Sequence, residues 1–188
     1  MLVAIVGMSG SGKSVASSYL EEKGFKKIYF GGVVLEEVKK RGLECNPVNE
    51  KKVREDLRKE YGMSAVAKLL LPKIEEAIGE YDTVLDGLYS WDEYLTLVKK
   101  FKNLKLLAVV ADKDLRYERV ANRKERPLNS DEIRNRDYSE IENLAKGGPI
   151  ANADYYIFNN GTINEYYERL DDILDSIRKG VDNNEKND

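Results

Sequence analysis

The feature that most constrains the fold of this chain is a glycine-rich stretch, GMSGSGKS, at positions 7 to 14. It satisfies the pattern G-x-x-x-x-G-K-[ST] at every position. An apolar run from Leu2 to Val6 precedes it and is typical of a strand buried on both faces; the segment from Ser14 to Glu22, which follows, predicts a helix. This order of strand, glycine loop and helix predicts a phosphate-binding loop at the end of a buried strand.

Each part of this loop has a chemical role. Glycines let the backbone turn tightly, so that its N–H groups face phosphate oxygens. Lys13 supplies a cation for β- and γ-phosphates, and Ser14 supplies a hydroxyl for Mg²⁺. The positive end of the helix that begins near Lys13 also favours an anion. The residues expected to hold the nucleotide here are Gly7, Ser9, Gly10, Ser11, Gly12, Lys13, Ser14 and Val15.

The rest of the chain alternates short apolar runs with helical segments, which predicts an α/β fold with a parallel sheet and helices on both faces. Four runs are expected to complete a five-stranded sheet: Lys26–Phe30, Thr83–Asp86, Leu104–Ala111 and Asp154–Phe158. The glycines at positions 31 and 32 are expected to close the first of these four strands.

Composition excludes several kinds of chemistry. The chain has 188 residues, a formal net charge of −3 and no histidine, so proton transfer falls to Asp, Glu, Lys, Tyr or water. A single cysteine, Cys45, excludes an intramolecular disulfide and predicts a cytoplasmic protein. The charge balance favours neither a membrane nor a nucleic acid as partner, and a monomer or homodimer acting on a small molecule is expected.

Asp86 is a candidate for the metal-side carboxylate, because it ends the apolar run TVLD and is followed by Gly87. With Ser14 it is expected to organise Mg²⁺ or to lie near the transferring phosphoryl group. An aspartate in this setting is also common as a helix cap or a turn residue.

A series of stretches then supports a resemblance to a known family. They are GMSGSGKS, VLEEVKKRGLE, LRKEYGMSAVAK, VLDGLYSWDE, RYERVANR, RDYSEIE and ADYYIFNNGT. In this order and spacing, from Leu2 to about Ile173, they resemble the P-loop nucleoside monophosphate kinase superfamily. The chain is most similar to small kinases related to dephospho-CoA kinase and to an adenylate-kinase-related branch familiar from archaea.

The resemblance implies a three-layer P-loop NTPase fold in one domain, residues 1–179, with a flexible tail at 180–188. It also implies ATP and Mg²⁺ as cofactors, a helical acceptor-binding segment at about 32–80 and a lid at about 122–138. Four arginines in and beside this lid are expected to neutralise the transferring phosphoryl group: Arg119, Arg123, Arg126 and Arg136. Asn160 and Gly161 are candidates for the adenine site.

The chain departs from the family where the acceptor should be gripped. Gly32 and Leu35 stand where relatives often have Asp and Arg, and Tyr89 replaces another arginine. Arg54 and Arg58, one helical turn apart, are candidates to replace them, although a solvated face paired with neighbouring glutamates is also consistent with their spacing. Tyr29 and Tyr89 are candidates for stacking on a base.

Residues 140–155 allow two interpretations. Gly147, Gly148 and Pro149 would let the backbone approach a ligand, or they would stop a helix and turn the chain before the last strand. The sequence slightly favours the stop and turn.

These observations predict an ATP-dependent kinase that transfers the γ-phosphoryl group to a small nucleotide-like acceptor, such as a nucleoside monophosphate or a dephospho-CoA-like molecule. The alternative is a P-loop ATPase or nucleotide-binding regulator with slow hydrolysis. The sequence contains no glutamine that would position a hydrolytic water and no N-K-x-D guanine signature.

Overall fold

The computed structural model describes the backbone of residues 1–184 and the side chains of residues 1–180. The strands are β1 (Leu2–Val6), β2 (Lys26–Tyr29), β3 (Thr83–Asp86), β4 (Leu104–Val110) and β5 (Tyr155–Phe158). The helices are α1 (Lys13–Glu22), α2 (Phe30–Lys40), α3 (Pro47–Tyr61), α4 (Ala65–Glu80), α5 (Trp91–Lys100), α6 (Lys113–Ala121), α7 (Ser130–Leu144), α8 (Gly147–Ala151) and α9 (Ile163–Asn184).

The strands form one parallel sheet in the order β2-β3-β1-β4-β5. β1 lies at its centre, and every residue of β1 is buried, as the apolar run predicts. Hydrophobic residues cover both faces of the sheet, so the molecule has three layers. The predicted α/β fold with a five-stranded parallel sheet is confirmed.

Alternate residues of β1 belong to the two halves of the core. Ala4 and Val6 pack with the group that includes residues of α2 to α5. Val3 and Ile5 pack on the opposite face with residues of α1 and α9, including the buried Tyr166. Because a strand directs successive side chains to opposite faces, β1 contributes side chains to both halves of the core.

Parallel pairing brings the carboxyl ends of all five strands to one edge. Ile5 pairs with Asp86, Val6 with Ala108, and β4 ends beside β5. The glycine loop leaves β1 at this edge, between the ends of β3 and β4. Such an edge is where open α/β sheets bind ligands.

Three local predictions differ from the structure. Gly31 and Gly32 do not close β2 but lie in the first turn of α2, which begins at the buried Phe30. A five-residue helix, α8, occupies the stretch where the sequence favours a turn. α9 continues to Asn184 and so includes the beginning of the predicted tail. Residues 185–188 of that tail lie outside the described residues.

The predicted acceptor-binding segment consists of α2, α3 and α4, whereas the predicted lid divides into an irregular segment, 122–129, and the first part of α7. None of the helices in the described part of the chain is long and apolar enough to cross a membrane.

Candidate functional site

The glycine loop is shaped by its neighbours. Gly10 has φ +82 and Gly12 has φ +108, a backbone region that favours glycine. A Cβ atom at Gly10 would collide with the carbonyl of Arg116, and one at Gly12 would collide with the side chain of Asn159. Asn159 also donates a hydrogen bond of 2.9 Å to the carbonyl of Ser11. The ends of β1 and β5 and the helix α6 therefore hold the loop together.

The loop surrounds polar groups that suit a polyanion. Lys13 Nζ donates to the loop's own Met8 carbonyl at 2.9 Å, and within the described part of the chain the buried Ser11 Oγ has no hydrogen-bond partner. Burial first, and then the charge of Lys146, lower the pKa of Lys13 to about 7. An ammonium in this position is unfavourable unless an anion joins it. These residues fit the phosphates of a nucleoside triphosphate.

Asp86 ends β3 next to the loop and is 8% exposed. Ser17 Oγ of α1 donates to Asp86 Oδ2 at 2.8 Å, which fixes the carboxylate. Ser14 and Asp86 line the same cavity. Among the side chains that the structure describes, residues 1–180, no cluster of three or more acidic, Cys or His groups is placed to hold a metal. The pair suits Mg²⁺, which is usually bound by few protein groups together with phosphates and water.

We call the space around this loop the P-loop cavity; it has a volume of about 450 Å³. It brings together many of the residues predicted from the sequence. They are Ser9, Gly10, Gly12, Lys13, Ser14, Val15, Tyr29, Asp86, Tyr89, Arg119, Arg123 and Arg136. Gly7 and Ser11 are buried in the loop and support it without lining the cavity.

Three arginines reach this cavity from two helices and the segment between them. Arg119 of α6 donates to the Asn159 carbonyl at 2.9 Å. Arg136 of α7 donates from Nε to Glu140 at 3.0 Å. Burial, followed by the charge of Arg136, lowers the pKa of Arg123. The cavity thus concentrates positive charge, as phosphoryl-group binding requires.

Two further residues, which the sequence did not single out, line the P-loop cavity: Glu140 and Lys146. Lys146 Nζ donates to Glu140 Oε2 at 2.6 Å and lies 4.6 Å from the centre of the Tyr89 ring. Burial raises the pKa of Tyr89 to about 12. Burial alone would raise the pKa of Glu140, but the charges of Lys146 and Arg136 hold it below its usual value. The segment from 140 to 155 therefore contributes to the site.

A second cavity, of about 580 Å³, adjoins the first and is bordered by α2, α3 and α7. Four residues line both cavities: Tyr29, Tyr89, Arg136 and Glu140. The two spaces are therefore neighbouring parts of one cleft.

The predicted acceptor residues Arg54 and Arg58 lie in the second cavity. Arg58 Nε is buried and has no hydrogen-bond partner among the described residues. Burial lowers the pKa of Arg58, and the nearby carboxylate of Glu93 only partly offsets this effect. That carboxylate accepts bonds from the backbone N–H groups of Tyr89 and Ser90. Arg58 is thus a cation that lacks a full partner.

The structure places three predicted site residues away from the P-loop cavity. Arg126 lines the second cavity and pairs with Glu50 of α3 at 3.1 Å. Asn160 accepts a hydrogen bond from the backbone of Asp112, and Gly161 is exposed; neither lines the P-loop cavity. The adjacent Asn159, which the sequence did not single out, is the residue that contacts the loop.

The fold and the loop together define the class: a P-loop protein with a parallel α/β sheet. Residues 3–143 match the family model described as "AAA domain". The chain belongs to the UPF0200 family. The UPF0200 protein of Thermococcus kodakarensis is 37% identical over 94% of this chain and 98% of its own length. That of Thermococcus gammatolerans is 36% identical over 96% and 97%.

Solved structures share the fold at low sequence identity. TT1252 from Thermus thermophilus has a TM-score of 0.66 at 16% identity and covers 94% of this chain and 97% of its own. Shikimate kinase from Aquifex aeolicus has a TM-score of 0.60 at 22% identity, covering 96% and 98%. A gluconokinase from Sinorhizobium meliloti has a TM-score of 0.57 at 14% identity, covering 97% and 94%. The P-loop fold predicted from the sequence is confirmed.

Proposed function

We propose that this chain is an ATP-dependent kinase that transfers the γ-phosphoryl group of ATP to a small anionic acceptor bound in the second cavity. The observation that carries the proposal is the pair of adjoining cavities, which share four lining residues. Hydrolysis needs room only for water, whereas phosphoryl transfer needs a second site that opens onto the first.

On the donor side, the chain's own groups bind and orient the triphosphate. Backbone N–H groups of the loop and the ammonium of Lys13 bind the β- and γ-phosphates. Ser14 and Asp86 would hold Mg²⁺, which supplies charge neutralisation to the phosphates when bound. Arg119, Arg123 and Arg136 line the same cavity and would exclude water from the transferring phosphoryl group. The solved kinases that share the fold support this assignment.

On the acceptor side, Arg58 and Arg54 favour a phosphate or a carboxylate. Most of the other charged side chains in the second cavity are engaged: Glu50 with Arg126, Glu140 with Arg136, and Lys51 with Glu55. Arg58 forms no ion pair with residues 1–180, and a cation held partly out of water gains from an anionic partner. The acceptor is therefore a molecule with at least one anionic group.

Proton removal depends on the acceptor. A phosphate oxygen is already ionised and needs no base. For a hydroxyl acceptor, Asp86 is the base, because it lies at the P-loop cavity with one oxygen held by Ser17 and the other free of a side-chain donor.

The proposal is tested by incubating the protein with Mg–ATP and a panel of nucleoside monophosphates, dephospho-CoA and small carboxylated or hydroxylated metabolites. ADP and the phosphorylated acceptor should form in equal amounts, and only when an acceptor is present. Release of inorganic phosphate at one rate with or without every acceptor would contradict it and support the slow ATPase instead.

A further inference from the structure

Lys146 is the most deeply buried charge in the site. Its exposed fraction is 0%, and no other charged side chain within residues 1–180 is buried so completely. An ammonium withdrawn from water is costly unless it is paired and hydrogen-bonded. Its surroundings should therefore show what Lys146 binds.

The carboxylate beside Lys146 is shared. One oxygen of Glu140 accepts from Lys146 at 2.6 Å, and the other accepts from Arg136 at 3.0 Å. One negative charge thus serves two cations, and the trio keeps a positive charge. The whole P-loop cavity is lined by five cationic side chains and two carboxylates: Lys13, Arg119, Arg123, Arg136 and Lys146 against Asp86 and Glu140. This excess favours an anion that the protein does not supply.

The position of Lys146 shows which part of an anion it would meet. It lines the P-loop cavity together with Lys13 and does not line the second cavity. Its two contacts, the Glu140 carboxylate and the face of the Tyr89 ring, belong to residues that line both. Lys146 thus stands on the P-loop side of the boundary between the cavities, where a triphosphate in the loop would place its terminal group.

We propose that Lys146 is a catalytic residue that binds the γ-phosphoryl group of ATP together with Lys13, at the boundary between the two cavities. This inference rests on the proposed function. Glu140 and the Tyr89 ring hold the ammonium in place before the nucleotide binds, so little side-chain entropy is lost on binding. The charge of Lys146 stabilises the phosphoryl group as it leaves ADP for the acceptor.

A purely structural role for Lys146 makes a different prediction. If Lys146 only connects the end of α7 to α8, its replacement would disturb the whole site and weaken the binding of ADP and ATP equally. A lysine that touches the γ-phosphoryl group affects only ligands that carry this group. Comparing a diphosphate with a triphosphate therefore separates the two roles and needs no acceptor.

The experiment is calorimetric titration of Lys146→Met with Mg–ADP and with Mg–AMP-PNP, the analogue with an imido β–γ linkage. AMP-PNP affinity should fall about tenfold or more, the usual effect of losing a hydrogen bond between charged groups, while ADP affinity changes by less than about twofold. Lys102→Met, an exposed lysine that lines neither cavity, serves as the matched control and should match the parent chain.

In Lys146→Met, the buried Glu140 carboxylate keeps only Arg136 as an ion-pair partner. Because a buried carboxylate that loses a partner destabilises the fold, a second variant serves as a control for misfolding. Lys146→Met with Glu140→Gln removes both charges of the pair and should show the same selective loss. Equal losses for ADP and AMP-PNP in these variants would overturn the role of Lys146 and leave the kinase proposal intact. Failure of the parent chain to bind either nucleotide would overturn both.

Discussion

Single residues in the two cavities carry charges that the protein does not fully neutralise. Lys13 donates to a loop carbonyl, and Arg58 Nε has no hydrogen-bond partner in residues 1–180. Lys146 shares the Glu140 carboxylate with Arg136. Holding each of these cations partly out of water costs desolvation free energy, and a bound anion would offset that cost. The residues that carry the largest desolvation cost are the ones that we expect to bind ligands.

Replacing Lys13 should abolish tight nucleotide binding. In Lys13→Ala, the affinity for Mg–ATP should fall about 10- to 100-fold, because a charge-assisted contact to the phosphates is lost. Calorimetric titration measures this, with Lys102→Ala as the control. Unchanged affinity in Lys13→Ala would mean that the glycine loop does not bind the triphosphate.

Replacing Arg58 should affect the acceptor and not the nucleotide. We expect Arg58→Met to raise KM for the acceptor about tenfold while the affinity for Mg–ATP stays the same, since Arg58 lines only the second cavity. Steady-state kinetics with the identified acceptor measure the effect. Arg134→Met, an exposed arginine on α7 that lines neither cavity, is the matched control. Weaker ATP binding in Arg58→Met would contradict the assignment of the two cavities.

Between elements, α6 and α7 are joined through a buried ion pair. Arg116 of α6 bonds both oxygens of Asp137 of α7, at 3.2 and 2.7 Å, and also donates to the Ser9 carbonyl of the loop at 2.8 Å. Both side chains are less than a tenth exposed. This one guanidinium fixes the helix α7, and with it Arg136 and Glu140, relative to the glycine loop.

Breaking that pair should destabilise the fold. Arg116→Met leaves the Asp137 carboxylate buried and unpaired, so the free energy of unfolding should fall by about 3–5 kcal/mol. Urea unfolding followed by circular dichroism measures the change. Arg116→Met with Asp137→Asn should lose less, because no unpaired charge remains. Equal losses in the two variants would show that the cost comes from packing and not from charge.

The irregular segment 122–129 is tied to α3 by the contact between Arg126 and Glu50, which are 76 positions apart. Arg126 is largely exposed, so this contact should add little to global stability. It should instead restrain the segment next to the second cavity. In Arg126→Ala, amide hydrogen exchange should become faster across residues 122–129, whereas in Arg134→Ala it should not. Equal exchange in both variants would contradict this role.

For the whole molecule, the strands and the loop were predictable because local chemistry decides them. Val3 and Ile5 lie in an apolar run that is typical of a strand buried on both faces. Lys13 lies in a glycine-rich pattern that is typical of a phosphate-binding loop. Lys146 was not predictable in this way. Its place beside Tyr89 depends on a contact between distant parts of the chain, and the sequence around it slightly favours a helix stop and a turn.

The ion-pair partner of Arg126 could not be predicted from the sequence for the same reason. A salt bridge across 76 positions leaves no periodic signal, and an arginine in a charged segment is as consistent with a phosphate ligand as with a surface pair. The sequence predicts that Gly31 and Gly32 close the second strand and that a helix follows them, because glycine is unfavourable within a helix. Burial of Phe30 at the start of α2 outweighs that preference.

The central claim is that the phosphoryl group leaves ATP for an organic acceptor. It is tested most directly by incubating the protein with γ-labelled Mg–ATP and a metabolite extract, and by following where the label goes. The account predicts label in an organic phosphate with the parent chain and none with Lys13→Ala. Label that appears only as inorganic phosphate, at the same rate with and without the extract, would contradict it.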